Sequence, residues 1–114
     1  MIFSKLLGDS GEKLAAKYYE KQGYEIVARN YRTRMGEIDI IVKNDDILVF
    51  VEVKTRSENT IASPREFVTK QKQRRIIAAA KAYMSENKCE PIMRFDVVEI
   101  INRQVNCIEN AFTL

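Results

Sequence analysis

Residues 37–55 read EIDIIVKNDDILVFVEVKT, two apolar runs separated by the polar break Lys43-Asn44-Asp45-Asp46. Runs of this length, rich in β-branched residues, read as strands, and so short a break closes an antiparallel hairpin. The hairpin constrains everything else, because its register decides which side chains meet across the two strands. Charges interrupt both runs. Glu37 and Asp39 share a face of the first, while Glu52 and Lys54 continue a stripe begun by Leu48 and Phe50 in the second. A two-residue turn at Asp45-Asp46 sets Asp39 opposite Glu52, since paired positions then sum to 91. A two-residue turn at Asn44-Asp45 pairs Asp39 with Phe50 and leaves Glu52 a diagonal neighbour on the same face. Only an odd-length loop separates the acids.

Directly opposed side chains have Cβ atoms about 4.5–5.5 Å apart. Two carboxylates at that distance repel each other and lose hydration, and a divalent cation between them removes the penalty. Mg²⁺ takes one or two carboxylates, keeps several waters and accepts phosphate oxygens, which suits this pair. Lys54 then lies beside the same ion, able to orient an attacking water and to neutralise phosphate charge. The same residues also suit an edge strand on which Glu52 and Lys54 face solvent, Asp39 pairs with Lys54, and the charges deter association.

Helical spacing of Leu14, Ala15, Tyr18, Tyr19 and Gln22 predicts a first helix over 9–22, stopped by Gly23. Residues 24–31 read as a strand before the hairpin, and 94–101 and 105–108 as two strands near the end. Ser63-Pro64-Arg65-Glu66 carries the signals of a helix start, an N-cap Ser, Pro at the first position and Glu at the third. That helical region runs to about Asn87 with a break near Thr69, and Ile76, Ile77, Ala80, Tyr83 and Met84 mark its apolar face. The order α-β-β-β-α-β-β implies an α/β fold, one mixed sheet flanked by helices, and 114 residues suffice for one domain spanning 1–114.

The chain has no histidine, which excludes His-based triads and His-based zinc sites. Catalysis must use carboxylates, lysine or a bound metal. The net charge of +3 is unevenly placed. Arg29, Arg32 and Arg34 cluster without an acid, and residues 65–81 carry six basic groups, Lys70, Lys72, Arg74 and Arg75 among them, against one acid. Such clusters suit a polyanion, and they equally suit a solvated helix or loop surface. Apolar runs are too short to span a bilayer, and the first residues lack a secretory h-region. With Cys89 and Cys107 eighteen positions apart, the expectation is reduced thiols and a cytoplasmic location.

Asp39, twelve residues, then Glu52-Val53-Lys54 resembles the D…(D/E)xK signature of the PD-(D/E)XK nuclease superfamily. More closely, the chain resembles the YraN family of predicted endonucleases, which is distantly similar to archaeal Holliday junction resolvases. Gly11-Glu12, Asn30-Tyr31-Arg32, Gly36-Glu37-Ile38-Asp39, the run from Phe50 to Arg56, Lys72-Gln73, Arg94-Phe95-Asp96-Val97-Val98 and Asn110-Ala111-Phe112 carry that resemblance. It departs from the superfamily at Ile38, where a Pro precedes the acid elsewhere; metal chemistry does not need that Pro.

The resemblance implies a restriction-endonuclease-like fold and a metal-dependent endonuclease for DNA, including branched DNA, with Mg²⁺ or Mn²⁺. Asp39 and Glu52 would hold the ion with the Val53 carbonyl, and Lys54 would serve the nucleophilic water. Glu12 would be an accessory ligand; alternatively it caps the first helix in Asp9-Ser10-Gly11-Glu12. Gln73 extends the apolar face of the second helix, where it could reach a metal-bound water or lie on a frayed surface turn. Lys72 points elsewhere, as a phosphate contact, with Arg56 and the clustered arginines. Glu37 faces solvent or DNA. Two symmetric cuts in a four-way junction would require a homodimer. A nucleic-acid-binding module that cuts nothing and a protein–protein adaptor are the competing readings.

Overall fold

The hairpin forms around an asparagine. Asn44 Oδ1 accepts from the Asp46 and Ile47 amides, both at 2.9 Å, and its own amide donates to the Ile47 carbonyl at 3.0 Å. This side-chain turn closes a two-residue loop at Asp45-Asp46. In the computed structural model, which describes residues 2–56, 68–88 and 92–114, with side chains from residue 10, the hairpin joins β2 (Glu37–Lys43) to β3 (Ile47–Arg56). Ile40 pairs with Val51, Ile41 with Phe50 and Val42 with Val49. The sum-to-91 register is the one adopted.

Five strands form one sheet in sequence order, with β1 (Glu25–Arg32), β4 (Ile92–Ile101) and β5 (Gln104–Phe112) completing it. Every neighbouring pair is antiparallel except β3 and β4, which are parallel. Parallel neighbours need a long crossover, and α2 (Lys70–Glu86) lies within it. The expected order of elements is therefore found. The start signal at Ser63-Pro64-Arg65-Glu66 lies outside the described residues. Within them α2 opens at Thr69, whose hydroxyl accepts from the Lys72 amide at 3.1 Å.

The helices cover opposite faces of the sheet. α2 packs Ile76, Ala79 and Ala80 on Ile41, Leu48, Phe50, Phe95 and Val97. α1 (Ile2–Lys21) packs Ala15, Ala16 and Tyr19 on Ile40, Val42, Val49, Val51 and Val98. α1 starts well before the expected residue 9 and continues through Gly11, where a methyl group would overlap the Thr55 hydroxyl. Its end is a Schellman turn: the Tyr24 amide donates to the Tyr19 carbonyl and Gly23, at φ 93°, to that of Glu20. No helix among the described residues is long and apolar enough to cross a membrane.

One irregularity matters for the site. Strand neighbours two apart share a face, yet Ile40 packs under α1 and Ile38 under α2. Across the ladder, Arg29 opposes Ile40 and Tyr31 opposes Ile38, with Asn30 between them at φ 52°. The change of face falls at Asp39, a local twist of β2 beside this left-handed residue. Glu37 and Asp39 therefore do not share a face in the simple way alternation implies.

Candidate functional site

The β2/β3 ladder stops at Ile40 and Val51. Its next backbone acceptor is replaced by a side chain: Asp39 Oδ2 accepts from the Val53 amide at 2.8 Å. The register sets Glu52 opposite, on the α2 face, where its side chain is 5% exposed as a residue. Burial, followed by the Glu52 charge, pushes Asp39 from the usual carboxylate range up to about 8; the Val53 hydrogen bond pulls the other way, and a hydrogen bond with Glu52 adds to the rise. Glu12 contributes a smaller push in the same direction. The twist at Asp39 lets one carboxyl group feel an acid from each face of the sheet.

Two ammonium groups converge on Glu52. Lys54 Nζ lies 3.5 Å from Glu52 Oε2, and Lys72 reaches the same oxygen from the first turn of α2. Burial pulls Lys54 below its ordinary value, reinforced by Lys72 and opposed by Glu52. Burial acts against the Lys72 charge as well, but its contact with Glu52 wins and raises it. The expectation that Lys72 projects elsewhere is corrected. As the third residue after the Thr69 cap it stands over the open end of the sheet, within a lysine's reach of Glu52.

Glu12 is not a cap, because α1 is already formed three turns earlier; it is half-buried and pairs with Arg29 Nη2 at 3.6 Å. Gln73 donates from Nε2 to the Val68 carbonyl at 3.0 Å, tying down the chain that leads into α2. Arg32 pairs with the exposed Glu37 at 3.2 Å. Arg56 is ion-paired to Glu99 with its side chain 8% exposed, so its charge is matched inside the fold. Arg34, Lys70, Arg74 and Arg75 are exposed.

Among the described residues, no three carboxylate or thiol side chains are gathered tightly enough to enclose a metal ion by themselves. The donor chemistry still fits a hard divalent cation. Asp39 and Glu52 are two adjacent oxygen donors whose negative charges the protein alone does not hold together, and Mg²⁺ asks for no more than two carboxylates before filling its shell with water.

Comparison with known proteins decides the family. Residues 11–100 match the model of the "Uncharacterised protein family UPF0102". A UPF0102 protein of Lachnoclostridium phytofermentans is 46% identical over 110 residues, covering 95% of this chain and 93% of its own. One of Clostridium perfringens is 46% identical, covering 96% of each chain, and one of Symbiobacterium thermophilum 44%, covering 96% and 98%. The chain belongs to the UPF0102 family. The YraN resemblance holds at the level of the family, and the activity has to be argued from the site.

Around the site this UPF0102 chain carries two basic grooves. One, of about 550 Å³, runs between the β1/β2 turn and the start of α2 and is lined by Arg32, Arg34, Gln71, Lys72 and Arg75. The other, of about 450 Å³, runs between α1 and β1; Lys13, Lys17, Arg29 and Arg103 line it together with Glu20 and an apolar floor of Leu14, Ala16 and Ile26. Lys72 joins the first groove to Glu52, and Arg29 joins the second to Glu12. Sequence reasoning missed Lys13, Lys17 and Arg103. The signal for the two lysines was their i, i+4 spacing on α1; nothing in the sequence tied Arg103 to them.

Proposed function

We propose that this chain is a metal-dependent phosphodiesterase that hydrolyses nucleic acid, DNA first among substrates. The observation that carries the reading is the pairing of Asp39 with the buried Glu52, flanked by Lys54 and by Lys72, which also lines the groove between the β1/β2 turn and α2. Asp39 and Glu52 would hold one divalent cation, with Glu12 as an accessory acid. Such an ion, when bound, supplies Lewis-acid stabilisation of phosphoryl charge and acidifies water.

The chain's own groups do the rest. The Val53 amide fixes the Asp39 carboxylate in orientation. Lys54, beside Glu52, holds the attacking water in line with the phosphorus and offsets phosphate charge. Lys72 neutralises the phosphate once it exchanges Glu52 for the substrate. Arg32, Arg34, Arg75, Lys13 and Lys17 hold flanking phosphates, which makes binding salt-sensitive and largely independent of sequence. A homodimer working in the cytoplasm, cutting both strands of a branch, extends the same reading.

One observation favours a second reading. Lys72 already gives Glu52 a cation from within the chain, as in a module that binds nucleic acid and cuts nothing. Labelled duplex, flap, single-stranded and four-way-junction DNA, incubated with Mg²⁺ or Mn²⁺, separate the two. Cleavage by the native protein and none by an identically purified Glu52→Gln supports the enzyme. Tight binding with equal or absent cleavage in both preparations supports the module.

A further inference from the structure

Three large hydrophobic side chains stand exposed among the described residues: Met35, Ile92 and Leu114. Ile92 opposes Ile47 in the β3/β4 ladder, so it lies at the end of the sheet away from Glu52. Met35, 58% exposed, lies at the other end, at the tip of the β1/β2 turn. An apolar group displayed on a turn gains nothing from the fold, so the way the turn is built is informative.

The turn is held from within and from behind. The Thr33 amide donates to the Gly36 carbonyl at 2.8 Å, and the Thr33 hydroxyl accepts from the Met35 and Gly36 amides, each at 3.1 Å. Gly36 lies so close to the Arg75 backbone of α2 that a methyl group would not fit between them. Met35 is therefore mounted on a fixed support. On either side of it Arg34 and Gly36 line the 550 Å³ groove, whose wall also carries Lys72, Arg75 and Arg32, the last paired to Glu37 in the same lining.

We propose that Met35 is a wedge that enters the base stack of the strand whose phosphates occupy this groove. The inference rests on the nucleic-acid reading above and adds to it a contact with the bases. A thioether is flexible and polarisable, and it packs well on the flat faces of aromatic rings. Apolar wedges of this size unstack a base step when neighbouring cations hold the backbone in place. The exposed Arg34 and Arg75, with Lys72 behind them, outnumber Glu37 in this lining and select a polyanion over an apolar protein partner. The nucleic acid in the groove is thus bound with one step opened, and substrates whose bases are already unpaired there bind best.

The test uses the full chain in EDTA, with duplexes carrying 2-aminopurine at successive positions, perfectly paired or with one mismatch. Native protein raises 2-aminopurine fluorescence at one step. Met35→Ala binds perfect duplex within about threefold of native, yet loses the fluorescence rise and most of the preference for mismatched duplex. Met35→Leu retains both, because volume and apolarity are kept. Arg34→Gln weakens every duplex together. If native protein binds without any fluorescence change, or Met35→Ala keeps the full change, the wedge is overturned and nucleic-acid binding stands. If native protein binds no nucleic acid at all, the proposed function and the wedge fall together.

Discussion

The Asp39 carboxylate accepts its 2.8 Å hydrogen bond from the amide of Val53, the residue after Glu52, at the point where the β2/β3 ladder ends. One side chain thereby does two things: it satisfies a backbone donor and it presents a second acid to Glu52. The two roles separate by substitution. Asp39→Asn retains an acceptor for Val53, whereas Asp39→Ala leaves that amide without its partner. Urea unfolding will show Asp39→Ala less stable than Asp39→Asn by about 1–3 kcal/mol.

Asp39 also makes stability depend on pH. Its carboxyl group is raised from 3.8 to about 8, so between those values the folded chain holds a proton that the unfolded chain has released. The stabilisation is complete below the lower value and is lost as pH rises through the upper one, at up to about 1.4 kcal/mol per pH unit. Thermal melts without divalent cations, at about pH 5 and pH 8 and constant ionic strength, will show native protein losing more stability than Asp39→Asn.

Asp96 carries a different load. It is 1% exposed and accepts from the Tyr19 hydroxyl at 2.7 Å, from Arg94 Nε and Nη2 at 2.8 and 2.9 Å, and from the Asn110 amide at 3.0 Å. These bonds tie α1 to β4 and β5, so Asp96 is structural. Asp96→Ala removes the shared acceptor of the half-buried Arg94, the Tyr19 phenol and the Asn110 amide, leaving Arg94 only its longer contacts to Glu109 and Tyr24 and the phenol only Cys107, a loss of about 2–4 kcal/mol. Denaturant midpoints will fall accordingly, while cation binding by whatever fraction remains folded will be unchanged.

Two glycines permit close approaches of unequal rigidity. A methyl at Gly11 meets the Thr55 hydroxyl, which can rotate away, whereas a methyl at Gly36 meets the Arg75 backbone, which cannot. Gly36→Ala will therefore destabilise by about 1–3 kcal/mol, more than Gly11→Ala. It will also weaken nucleic-acid binding, since it pushes the Arg34-bearing turn off α2. Melting curves and filter binding on the two variants check both statements.

Much of the fold was legible because local chemistry determines it. Asn44 closes the hairpin through its own side chain, which selects the Asp45-Asp46 turn from the two registers the sequence left open and with it the approach of Asp39 to Glu52. What escaped depends on distant parts of the chain. The change of face at Asp39 lies beside the left-handed Asn30 of the neighbouring strand, which no period-two pattern in β2 reveals. The approach of Lys72 to Glu52 depends on how α2 lies across the sheet, and no start signal in the first residues marked the early beginning of α1. The second groove gathers Lys13, Lys17, Arg29 and Arg103 from three separated stretches, so no local charge run announces it.

The central claim, that Asp39 and Glu52 form a cation site, is tested most directly by Mn²⁺ titration of the protein without nucleic acid, followed by electron paramagnetic resonance. Native protein and Glu37→Gln, altered only at an exposed acid, will bind one ion, and Asp39→Asn and Glu52→Gln will lose it. Equal Mn²⁺ binding by all four proteins, or none by the native chain, would contradict the account.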